Sequence, residues 1–463
     1  MKKTEKCMAV ALTGLMTVGM MTACGSSAAS SGTSTPTASS GTSTPASAST
    51  AEAQSTEPVT LRFVSWQTAQ KDSDKAVADA YKELHPNVTV NFEYYGDQSA
   101  SEYYKKVDLM VMGGEEMDVI MASALAEHSQ RADSGAYLPL DDYFAAEGVK
   151  PTDAYDFAPT VNGVTYGIPG DWKAWMVMIN KNYLDEAGLS VPSLDWTWED
   201  YRTYAKAMTV GEGESKRYGS YFHTWDHYDY MGMWSTYEGN PMFKSEGVTN
   251  FDNPMFKDWL QFRYDMENVD KCQVPYADVK AMSMNYRSKF FNGEIAMLPI
   301  ASFLISELDD QEKYPHDFVT TFAPIPAWGD AKSGSTYTDS LYYSVSSTTK
   351  HPQEAYDFIR FYTTKGMDIK GNAVSVAKGT NKMDYLTKMI DDPKYTDMET
   401  LDKVLNNPNW KNDVYTIMPS YNKEMSSMMV EEAEKFLLGE EKDLDKVTAS
   451  MQKRGEEIIS NAG

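Results

Sequence analysis

From Val59 onward the chain alternates between apolar and polar positions. Leu61 and Phe63, with Ser65 in the same register, fall on one side, and Thr60, Arg62 and Val64 on the other. A period of two predicts a buried strand. The period then lengthens: Ala76, Val77, Ala80, Tyr81 and Leu84 share one face of a helix over 73–85, capped by Asp72 or Ser73 and stopped by Pro86. Val88, Val90, Phe92 and Tyr94 alternate as a second strand, followed by a helix from Tyr103 to Met112 and a short strand from Asp118 to Met121. Strand, helix, strand, helix, strand predicts an α/β sheet. The same grammar returns later. Thr197-Trp198-Glu199-Asp200 starts a helix through Met208 with capping-box chemistry. Pro352 suits the first turn of a helix whose Ala355, Phe358, Ile359 and Tyr362 share a face, and the tail from Ser420 to Gly463 reads as helical almost throughout.

Before Val59 the pattern differs in kind. Lys2, Lys3 and Lys6 precede an apolar run from Met8 to Met21, and Thr22-Ala23-Cys24-Gly25 follows. A basic region, a short apolar run and small residues at a cleavage site form a signal peptide, too short and too lightly flanked for a membrane span. Met21-Thr22-Ala23-Cys24 resembles the bacterial lipobox, with Met21 where Leu is usual. That resemblance implies removal of residues 1–23 and diacylation of Cys24, which would hold the protein on the outer face of the cytoplasmic membrane. Residues 25–57 are nearly all Ser, Thr, Ala, Gly and Pro, with Glu52 and Glu57 the only charges. Such a stretch builds no core and reads, with Cys24, as a flexible tether over 24–58.

Length and composition narrow the picture. A chain of 463 residues exceeds one hydrophobic core and fits two lobes. Thirty Tyr and ten Trp exceed the needs of packing and hint at a surface that stacks on flat partners. The formal charge is −25; Lys2, Lys3 and Lys6 against Glu5 leave the part after residue 23 at −27. Such a field repels phosphate backbones, so nucleic acid is not an expected partner. Cys7, Cys24 and Cys272 offer neither a disulfide framework nor zinc spacing, and Cys272 reads as an inert core thiol. No G-x-S-x-G, H-E-x-x-H, Walker A or Rossmann fingerprint occurs. The chain is expected to be neither an enzyme nor an ATPase, and to need no cofactor.

Six segments occur in an order that points to one family. They are VTLRFVSW at 59–66, GGEEMDVIM at 113–121, GAYLPLDDY at 135–143, NGVTYGIPGDWKAWMVMINKNYLDEAGL at 162–189, TWEDY at 197–201 and FNGEIAM at 291–297. Through them residues 59–463 resemble the carbohydrate-binding extracellular solute-binding proteins of ABC importers, the maltodextrin and oligosaccharide type. Met117 and Ile179 depart from the family's usual Pro and Tyr. The resemblance implies an α/β, two-lobed periplasmic-binding-protein fold of type II-like form with a helical C-terminal region. Three hinge crossings would lie near Gly167–Gly170, Ala323–Trp328 and Asn372–Gly379, so that 59–168 plus 325–375 form lobe 1 and 169–324 plus 376–463 form lobe 2. It also implies a carbohydrate ligand and an ABC permease, homodimer or heterodimer, with separate ATPase subunits.

A sugar ring has an apolar face and a rim of hydroxyls, so it needs an aromatic plate and planar polar groups. Trp66 and Gln67 end the first strand, where open α/β sheets place ligands. Asp171 and Trp172 follow the first hinge in a Gly-Pro-Gly context, whereas Trp175 enters an apolar strand and reads as packing. Trp225 lies in the polar-aromatic loop His223–Tyr228, with Trp234 nearby. His223, His227, Asp226 and Asp229 share that region, but no third soft ligand stands close, so a metal is not expected. By its register after the FNGEIAM segment, Phe303 matches the family's stacking Trp. Asp339, between Tyr337 and the strand Leu341–Val345, would accept sugar hydroxyls, and Asp97 and Ser123 lie at strand ends. Two alternatives stand beside the sugar-binding reading. One keeps the fold with a polyamine, peptide or metal complex as ligand; the other is a lipoprotein glycosidase, for which acidic residues alone are no argument.

Overall fold

Residues 57–462, apart from Gln98, Val414 and Thr416, are described by the computed structural model. The signal peptide, Cys24 and all but the end of the tether lie outside the described residues. The strands, in chain order, are β1 (Val59–Ser65), β2 (Val88–Tyr94), β3 (Val119–Ala122), β4 (Ile168–Pro169), β5 (Lys173–Asn180), β6 (Tyr218–Ser220), β7 (Phe243–Ser245), β8 (Val248–Thr249), β9 (Ile295–Ala301), β10 (Thr320–Pro324), β11 (Ser335–Asp339), β12 (Tyr342–Val345) and β13 (Lys411–Asp413). Two lobes follow from how they pair. The first lobe carries the order β2-β1-β3-β12-β4, with β1 parallel to both neighbours and β12 antiparallel to β3. The second carries β13-β11-β5-β9-β6, with β10 also on β5, and β7 and β8 form a separate hairpin.

In the second lobe every residue of β9 is buried, and all of β5 but Lys173. Strands covered on both faces lose the polar–apolar alternation, which is why KAWMVMIN reads as one continuous apolar run. The helices sit near their expected places with shifted ends. The first spans Lys71–Leu84 with Gln70 at its start, so neither Asp72 nor Ser73 caps it. Its inward face is Asp74, Val77 and Tyr81, while Leu84 is left 59% exposed. The next begins at Ala100, capped by the Ser99 hydroxyl. Thr197 and Asp200 exchange the two capping-box hydrogen bonds at the start of Trp198–Met208. The C-terminal region is two helices, Asn422–Leu437 and Leu444–Ala462, broken where Gly439 takes positive φ. Cys272 is buried, and burial pushes its thiol up to about 12.

Three chain passages join the lobes side by side. The first, Gly170–Trp172, lies between β4 and β5 and is flanked by the other two. Gly170 N–H donates to the Leu341 carbonyl at 3.0 Å, Trp172 N–H to Val374 at 2.7 Å, and Val376 N–H back to Gly170 at 3.3 Å. A Cβ on Gly170 would stand 2.4 Å from the Tyr343 ring, so the close approach requires glycine. The second passage is not at Ala323–Trp328. There β10 ends against β5 and Trp328 packs on Trp259 and Phe262, all within the second lobe. The Pro and Gly around residue 326 serve the turn from β10 to β11, and the chain crosses at Ser340–Leu341, between β11 and β12. Residues 325–339 therefore belong with the second lobe.

Candidate functional site

A cleft of about 1050 Å³ lies between the lobes. Its second-lobe wall is aromatic. Trp175, at the start of β5, stacks on His227 at 5.4 Å and meets Trp225 edge-on at 6.2 Å. Phe303, just past β9, lies 6.4 Å from Trp225. Tyr337 of β11 stands 4.9 Å from His227 and 4.3 Å from Tyr415. Interlocked rings have few alternative rotamers, so the wall is preformed.

Polar groups edge this wall. Asp226 accepts from Ser426 at 2.5 Å and pairs with His227 Nδ1 at 2.9 Å. Burial works against the Asp226 charge, but the His227 ring and three hydrogen bonds outweigh it and hold the carboxyl down to about 2. Burial likewise opposes an imidazolium at His227, and the Asp226 carboxylate overcomes it, raising its pKa. Asp339 accepts from Ser340 N–H at 2.7 Å and, across the cleft, from Leu125 N–H at 3.3 Å. Burial lifts its carboxyl above the ordinary range.

The first-lobe wall is built on Tyr104, Ser123 and Arg131. Tyr104 donates to Ser123 Oγ at 2.9 Å, and the Arg131 guanidinium lies 3.7 Å over the Tyr104 ring. Arg131 holds Asp108 through two 2.9 Å bonds and Glu127 through one of 2.8 Å. Glu127 also reaches Lys423 of the second lobe at 2.5 Å. Lys173 lies 3.8 Å from Asp171.

Of the residues singled out from the sequence, the cleft brings together Ser123, Trp225, Phe303 and Asp339. The others lie elsewhere. Trp66 is 7% exposed, packed on Tyr103 and Tyr104 behind the wall, because the end of β1 is covered by the Ala100–Met112 helix. The Gln67 backbone turns onto Ser65, and Asp97 is an exposed, positive-φ residue accepting from Thr68 at 2.9 Å. Asp171 and Trp172 lie in the hinge ladder. Trp172 is 1% exposed, between Trp410 and Lys382. Trp234 is buried behind Trp175 and donates to the Tyr415 hydroxyl at 3.1 Å. Trp175, expected as packing, is 4% exposed and packed on Trp225, His227, Tyr228 and Trp234, and it also lines the cleft. The four metal-capable side chains diverge: His223 turns to Tyr221 and Asp229 to buried Arg263, leaving Asp226 with His227.

Comparison with known proteins places this fold. A sugar transporter of Rhizobium etli in an open conformation matches with a TM-score of 0.69 at 19% identity, over 87% of this chain and 99% of that one. An ABC substrate-binding protein of Listeria monocytogenes in complex with cycloalternan matches at 0.68 and 18%, over 88% and 99%. In sequence, the arabinooligosaccharide-binding protein of Halalkalibacterium halodurans is 24% identical over 227 residues, 48% of this chain and 49% of that protein, so the match spans about half the relative's length. The model of the family described as bacterial extracellular solute-binding protein matches residues 65–369, and the chain belongs to that family.

Proposed function

We propose that the chain captures a neutral oligosaccharide in the interlobe cleft and hands it to an ABC permease, served by separate ATPase subunits, once the lobes close on it. The observation that carries this reading is an aromatic wall in a cleft whose charges are already paired within the protein. Arg131 is held by Asp108 and Glu127, Lys423 by Glu127, and His227 by Asp226. Rings stack on the apolar face of a sugar, and paired carboxylates and hydroxyls meet its rim. An ionic ligand would have to break these pairs. Relatives named for sugars support the same choice of ligand.

Lobes joined by three passages move as hinged bodies, and a ligand favours the closed form only by binding it better than the open one. Titration calorimetry against oligosaccharides, with small-angle scattering on the same samples, tests both parts. Binding without product, with a smaller radius of gyration, is expected. Hydrolysis, or tight binding at constant radius, would sink the reading. Cys24 is assigned as the lipid anchor, placing the protein on the outer face of the membrane. Cys24→Ser should release it from the membrane fraction, and identical fractionation of both forms would remove the anchor from the proposal.

A further inference from the structure

The loop that supplies Trp225 faces two cavities. Trp225 and Asp226 line the cleft, while the preceding His223 and Thr224 line a second hollow of about 520 Å³ in the second lobe. Its other walls are Val279, Lys280, Ser283, Met284, Asn285 and Tyr286, with Glu434 at the edge. Its volume falls within the roughly 300–1,000 Å³ usual for small-molecule sites.

The rings that line the two hollows pack on one another. Trp225 is half-buried, and its ring lies 5.3 Å from Tyr286 and 5.0 Å from His223, each edge-on. Tyr286 in turn lies 6.4 Å from Phe303, and Arg287 covers both those rings while held by Glu307. Lys280 is paired with Glu434 at 2.5 Å, so this hollow, like the cleft, meets a ligand with charges already satisfied.

We infer that the second hollow is an additional sugar subsite. An oligosaccharide seated on Phe303 continues over Trp225 and places its further rings against His223, Thr224 and Tyr286. This rests on the sugar-binding reading of the cleft and adds to it a preference for chains longer than the cleft holds. Trp225 then serves as the link between both parts of the ligand, a half-buried ring that lines the cleft and packs on His223 and Tyr286 of the second hollow.

The test is calorimetry on the processed chain with linear arabino-, manno- and malto-oligosaccharides of two to six rings. In the series that binds, affinity should keep rising past the length at which the cleft is filled, by about tenfold in all. Thr224→Met, which fills the second hollow, should cancel that rise and leave the shortest ligand's Kd unchanged. Lys280→Trp fills the same hollow from its exposed wall and keeps the test readable if Thr224→Met does not fold. An affinity that stops rising at the cleft's own length, or variants that weaken every length equally, would overturn the subsite while leaving the cleft assignment standing. Failure of all three series to bind would overturn the sugar reading itself, and the subsite with it.

Discussion

Trp225→Ala is the sharpest probe of the cleft. The indole is half-buried and presents one side to the cleft, while Trp175, His223 and Tyr286 pack around it. A sugar ring on that side covers roughly 80 Å² of it, about 2 kcal/mol at about 25 cal/mol per Å². Aromatic geometry adds roughly 0.5–1.5 kcal/mol. The ring is already immobilised by its neighbours, so little ordering cost offsets this gain. Truncation should therefore weaken binding by about 3 kcal/mol, on the order of 100-fold in Kd. Calorimetry on a variant with a native near-ultraviolet spectrum measures it. A Kd within threefold of the parent, with the fold kept, would refute the stacking argument. Trp172→Ala serves as the contrast. That ring is buried in the hinge, so its loss should cost about 3–5 kcal/mol of folding stability and should act on affinity only through the hinge.

Two further predictions concern buried charge. Glu267 is 6% exposed, and burial lifts its carboxyl to about 7, with Arg263 pulling the other way. The native state thus holds this proton longer than the unfolded chain, so its stabilising contribution is complete below about pH 4.5 and is lost as pH rises through about 7. Glu267→Gln should flatten that slope and raise stability above pH 7 by on the order of 3 kcal/mol in urea unfolding, and an unchanged pH profile would refute it. Lys370 meets Asp74 at 2.7 Å with both side chains buried, while Tyr94 and Tyr362 donate to the same carboxylate. Lys370→Met should cost about 3–5 kcal/mol because a buried charge loses its counter-ion, and adding Asp74→Asn should restore most of that in the same assay.

The sequence made the fold legible wherever local chemistry decided the outcome. The alternation in Val59–Ser65 and Val88–Tyr94, and the capping box at Thr197, depend on neighbours in the chain. The site was less legible because it depends on neighbours in space. Trp175 looks like core and is core, 4% exposed; that it also lines the cleft depends on how the lobes meet, which no local pattern records. Trp172, three residues earlier and in a loop-like context, looks exposed yet is enclosed by Trp410 and Lys382. The Arg131–Asp108–Glu127 group joins two helices whose sequence carries no sign of the pairing. The second crossing, at Ser340–Leu341, is hidden for a related reason: Pro and Gly mark a bend, and a turn within one lobe bends the chain as a hinge does.

The pairing order of the two sheets bears on how the chain comes to fold. The first lobe places β12, from residues 342–345, between β3 and β4, and the second reaches its edge strand only at Lys411–Asp413. Neither lobe can be completed by an N-terminal fragment, since each waits for strands encoded late in the chain. Contacts this distant in sequence slow folding, because the intervening loop must be closed before the pairing rewards it. The first sheet lacks β12 until residues 342–345 have been made, and the second lacks its edge strand until 411–413, so in a growing chain the second sheet is the last to close.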